Sequence, residues 1–262
     1  MLRTIACGRL KSIVLPAALV LAALVLAWGS AGARAEWGTL KGKFVYDAAS
    51  PTPEKINVTK DQEVCGKHPL LDEALLVDPA GGLANAVVWV RTKGVEVAPA
   101  YAKTADAKLV YDNKGCRFEP HILAVWTSQK LEIHNSDPIS HNSNMAPLGG
   151  DAINPLLPAN GAVDYQFAKA PIVPTPVTCN IHPWMKGYVV AKDNPYTAVS
   201  LPDGTFEIKD LPTGELEFQA WHEKSGYLAT PDWGKRGIFK YTIEKGDNDL
   251  GTIKLSPELF NK

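Results

Sequence analysis

The chain has 262 residues, 45% of them hydrophobic and 21% charged, with 27 basic against 28 acidic side chains and a formal net charge of −1. A near-neutral balance without basic clusters excludes nucleic acid as an expected partner, because phosphate binding needs a localised positive surface. The composition is that of a folded chain, long enough for one large β domain or two smaller ones.

In chain order, Arg3, Arg9 and Lys11 precede an uncharged run from Ile13 to Trp28, and small residues then end in Ala33-Arg34-Ala35. The run falls short of the roughly 20 residues of a membrane span and carries the marks of an export signal, with cleavage expected after Ala35. An uncleaved N-terminal anchor is the rival reading. Residues 36–262 would form the mature chain, in which 23 basic and 28 acidic side chains give −5. No second run is long enough to span a bilayer, so no transmembrane segment is expected there. The destination would be periplasm, cell envelope or extracellular space.

Cys7 leaves with the signal, and Cys65, Cys116 and Cys179 remain. An odd count in an oxidising compartment needs an account. Parity suggests a disulfide between Cys65 and Cys116, leaving Cys179 free for another purpose.

Helical periodicity is nearly absent. Period-two alternation and β-branched or aromatic runs recur at residues 40–46, 86–90, 131–134, 188–191, 205–208, 215–221 and 239–243, with turn residues such as Asp137-Pro138 and Pro202-Asp203-Gly204 between them. This predicts an all-β sandwich. Residues 147–176, rich in Pro, Gly, Ala and Asn, are long for a loop and hold one expected strand over 162–168. They read as an excursion that brings His141 and Cys179 together. A boundary near Asp193-Asn194-Pro195 separates residues 36–193 from a smaller β-sandwich over 194–262.

The densest chemistry is Cys179-Asn180-Ile181-His182-Pro183-Trp184-Met185, with thiolate, imidazole and thioether at C-x2-H-x2-M spacing. A second imidazole, His141, follows an apolar strand. Two imidazoles and a thiolate near one plane, with a weak thioether on the axis, suit copper in electron transfer, since soft sulfur favours Cu(I) and nitrogen favours Cu(II). Asn142 is expected to tie the two ligand loops together and Trp184 to pack beside them. Core packing is the rival role for Met185. His121 and His222 are polar residues beside apolar strands, and either is open to approach the copper, to hold a second metal or to serve as a hydrogen-bonded structural histidine.

The His141-Asn142 pair followed by C-x2-H-x2-M resembles the cupredoxins, the blue-copper proteins, with amicyanin-like ligand-loop spacing. The segments Cys116–His121, Lys130–Asp137 and Gly204–Glu223 extend the likeness to exported plastocyanin-like or methylamine-utilisation-like proteins, in which a cupredoxin domain runs into a carboxypeptidase-regulatory-like β-sandwich. The resemblance implies a Greek-key fold and one type 1 copper held by His141, Cys179, His182 and an axial Met185. It implies redox partner proteins and no substrate chemistry, with electrons passing through His182 where the ligand loop reaches the surface. Two other readings stand beside it: a copper carrier or storage protein, and a surface carbohydrate- or protein-binding module on a cupredoxin scaffold.

Overall fold

Strand formation follows the side-chain pattern closely. In Trp37–Tyr46 every second residue from Gly38 to Phe44 is buried, the signature of a strand with one face on a core. Val87–Val90 is buried at all four positions, so both its faces are covered, and both its edges are paired, with Thr197–Val199 and Gly214–His222. The computed structural model describes residues 36–261, and the expected signal lies outside them. Among the described residues there are eighteen strands, three short 3-10 turns and no α-helix, so the fold is all-β, of the sandwich class. Among the described residues no helix is long and apolar enough to cross a membrane.

Two apolar cores order the strands. One gathers Leu40, Phe44, Val88, Phe206, Phe218 and Phe260 from both ends of the described chain. The other lies between Tyr111 and Ala191 and includes Leu131, Ile133, Val177, Val189, Cys179 and Met185. Val87, Trp89, Ile122, Val190 and Trp221 form a third cluster that draws on the strands of both. Each such side chain, fully buried, contributes about 1.5–3 kcal/mol.

Trp37–Tyr46 pairs antiparallel with Thr205–Pro212 and parallel with Gly246–Leu255, and Val87–Val90 pairs antiparallel with Gly214–His222. Strands on both sides of residue 194 therefore share sheets. The second core is built between these two stretches of chain, from Lys108–Asn113 parallel to Lys130–Asn135 and Ile122–Trp126 parallel to Lys186–Lys192. Residues 147–176 leave after Asn144–Met145 and return as Thr175–Thr178, and those two strands pair, with Val177 opposite Met145. That pairing sets His141 and Cys179, at the far ends of the excursion, side by side.

Candidate metal centre

His141 is fixed by a two-residue strand, His141–Asn142, paired with Leu156–Leu157. Cys179 follows the last residue of Thr175–Thr178, and the next turn closes through Met185 N–H to the His182 carbonyl at 2.9 Å and Cys179 N–H to the Met185 carbonyl at 3.3 Å. Gly187, just past the turn, allows the close approach this needs: a Cβ there would lie 2.3 Å from the Tyr111 hydroxyl and 2.7 Å from the His121 carbonyl.

One ligand atom from each of His141, Cys179 and His182 lies within 4.8 Å of the others, and all three residues are buried. Cys179 Sγ is 3.7 Å from His182 Nδ1 and receives the His182 N–H at 3.4 Å. Met185, 1% exposed, packs in the same apolar cluster as Cys179, beside Met145. Asn142 Oδ1 accepts the Asn180 N–H at 2.8 Å and lies 3.4 Å from Cys179 Sγ, so this side chain spans the two loops. The Trp184 ring sits 5.2 Å from that of His182, and its indole N–H donates to the Cys116 carbonyl at 3.1 Å.

The electrostatics suit a thiolate. Burial pushes the Cys179 thiol up, but the His141 imidazole and the backbone N–H groups of Asn142, His182 and Ile181 outweigh it and bring the thiol down to about 6. Burial pulls His141 down, and Asp137 with Cys179 outweighs that, raising it to about 9.

The donor set fits a soft transition metal by an observation independent of motif spacing. His141 Nδ1 is buried with no hydrogen-bond partner, whereas its Nε2 is engaged by Asp137 at 2.9 Å. A buried polar atom left unpaired is costly, and a metal bond would satisfy it. His182 is arranged alike, with Nδ1 toward Cys179 and Nε2 on Asp61 at 2.8 Å.

One sequence expectation changes here. His182 does not reach the surface: it is 0% exposed, because the loop carrying Asp61 covers its outer edge. His121 and His222 do not join the trio. His121 bonds Glu223 through Nε2 and faces Glu73 at 3.5 Å, while His222, 1% exposed, packs on Phe260. Asp61 and Asp137 were missed as site residues. Asp137 stands four residues before His141 and reads locally as a turn, while Asp61 is 121 residues from His182 and no local pattern marks it. The bridge between Cys65 and Cys116 is present, with Cα atoms 5.5 Å apart, and Cys179 is the one free cysteine among the described residues.

No family model matches the chain, and neither does any curated protein. Among solved structures, it is similar to a purple cupredoxin from Nitrosopumilus maritimus at 22% identity, covering 33% of this chain and 100% of that one, with a TM-score of 0.27. A reduced, Cu(I) form of an amicyanin variant aligns at 22% identity over 40% of this chain and 98% of its own, with a TM-score of 0.29. A copper-containing nitrite reductase from Thermus scotoductus SA-01 aligns at 19% identity over 39% and 25%, with a TM-score of 0.30.

Proposed function

We propose that the chain is an exported protein in which His141, Cys179, His182 and Met185 would hold one type 1 copper ion, and that it passes single electrons between partner proteins. The observation that carries this reading is the convergence of a thiolate and two imidazoles within 4.8 Å inside an apolar cluster, one of the imidazoles with an otherwise unpaired nitrogen. Bound there, copper supplies a one-electron couple between Cu(I) and Cu(II).

The protein's part is to hold its donors still. Cys179 is favoured as the anion by the His141 imidazole and by the backbone N–H groups around it, and Asn142 fixes the spacing of the two loops. Val177, Val189 and Ile181 keep water away, and the paired strands on either side limit movement of the ligands between oxidation states. No substrate bond is broken. The second set of sheets would dock the copper-bearing half to a partner or to the envelope. Burial of all three donors argues against a carrier, which must release its metal quickly to an acceptor.

The test is to add Cu(II) to the purified mature chain and record visible absorption and electron spin resonance. An intense thiolate-to-copper band with narrow hyperfine splitting is expected, and Cys179→Ser abolishes both the band and the redox couple. A colourless wild-type protein, or a serine variant that keeps the colour, sinks the assignment.

A further inference from the structure

Both imidazoles present their outer nitrogen to a carboxylate, and the two carboxylates are held by one covalent link. Asp137 Oδ2 accepts from His141 Nε2 at 2.9 Å and from the Cys116 N–H at 2.8 Å, while its Oδ1 accepts the Gly115 N–H at 2.6 Å. Cys116 is bonded to Cys65, whose own N–H donates to the Asp61 carbonyl at 2.8 Å. Asp61 in turn sets Oδ2 2.8 Å from His182 Nε2. The Cys116 carbonyl completes the ring by accepting the Trp184 indole N–H.

Asp61 is not an incidental surface carboxylate. Its φ of +46° lies in the left-handed region, which costs a non-glycine residue about 1 kcal/mol. Three anchors hold it there: its carbonyl accepts from both Val64 and Cys65, and the disulfide fixes the end of the turn. Among the described residues its carboxylate has no ion-pair partner besides His182. A negative group on the far nitrogen of a ligating imidazole fixes the ring and makes the near nitrogen a stronger donor. Stronger donation favours the more highly charged metal ion, and so stabilises Cu(II) over Cu(I).

We propose that Asp61 is a positioning residue: stapled in place by the Cys65–Cys116 bridge, its carboxylate orients His182 so that the inner nitrogen faces the metal, and lowers the reduction potential of the copper site. This rests on the copper reading above, and it removes the outer edge of His182 as a solvent-facing route for electrons.

The experiment compares wild type, Asp61→Asn and Asp61→Ala in the full mature chain. The asparagine keeps a hydrogen-bond acceptor and tolerates the left-handed backbone but removes the charge. With copper bound, Asp61→Asn should keep the charge-transfer band while Cu(II) affinity falls about 10- to 100-fold and Cu(I) affinity falls less. Each tenfold difference between the two raises the one-electron potential by about 59 mV. A potential unchanged in Asp61→Asn overturns the proposal. Metal-free protein gives an independent reading by nuclear magnetic resonance: a slowly exchanging, downfield His182 Nε2 proton in wild type that disappears in Asp61→Ala. Its absence from wild type also overturns the proposal. A wild-type chain that shows this proton yet gives no charge-transfer band would instead remove the copper reading and leave the Asp61 contact standing.

Discussion

Cys65 and Cys116 are separated by 51 positions, both are 0% exposed, and their bond ties an irregular stretch between Tyr46 and Val87 to the turn between Lys108–Asn113 and Phe118–Glu119. Replacing both with alanine releases a closed loop of that length in the unfolded chain. The chain-entropy relation gives about 4 kcal/mol for such a loop, and loss of two buried sulfurs adds a packing cost on top. With a urea dependence of about 2–3 kcal/mol per molar, the unfolding midpoint should fall by about 1.5–2 M relative to the wild type. Urea titration followed by far-ultraviolet circular dichroism, with wild type and variant under identical salt and pH, measures this directly. Equal slopes would assign the change to stability, and a lower slope to a looser native state. A variant that unfolds within about 0.3 M of wild type would refute the reasoning, since it would mean that the segment is held by its other contacts alone. The same variant should hold copper less tightly, because Asp61 and Asp137 lose their common anchor.

Two histidines away from the trio give opposite pH signatures. Burial pulls His121 down, but its bond to Glu223 and its contact with Glu73 outweigh that and raise it to about 9, so its contribution is complete below about 6.5 and is lost as pH rises through 9. That is about 3 kcal/mol, seen in urea unfolding as a gap between wild type and His121→Gln that closes by pH 10. The comparison with the variant is necessary because burial also lowers Lys192 to about 8, which adds stability over the same alkaline range. A gap independent of pH would show that His121 is not charged in the fold. Burial lowers His222 to about 4, so the folded protein resists taking up a proton that the unfolded chain accepts, and stability falls by about 3 kcal/mol between pH 6.5 and pH 4. His222→Asn, which keeps an acceptor for the Lys224 N–H, should flatten that acid limb; equal acid slopes in the two proteins would contradict the buried, neutral assignment.

How far the sequence carries depends on whether the partners of a residue are near it along the chain. Strands with alternating or wholly apolar runs, such as Trp37–Tyr46, Val87–Val90 and Gly214–His222, were legible because burial on one or both faces writes itself into period two or into an unbroken run. Lys108–Asn113 was not, since of its six residues only Tyr111 and Asn113 are buried, and Asn113 is a polar side chain held by the His134 carbonyl and Ser143. The trio was legible for the same local reason: Cys179 and His182 share one turn, and the pairing of Asn144–Met145 with Thr175–Thr178 brings in His141 from across the excursion. The carboxylates behind the imidazoles were not. Asp61 reaches His182 only after a disulfide and a left-handed backbone position have folded its loop over the ligand turn, and neither is encoded near His182. Local spacing therefore specifies which donor side chains converge, whereas their hydrogen-bond partners and their shielding from solvent are set by chain segments whose register is decided by tertiary packing. Changing Asp61 alone separates the two, because it leaves every motif residue in place and alters only what stands behind one of them.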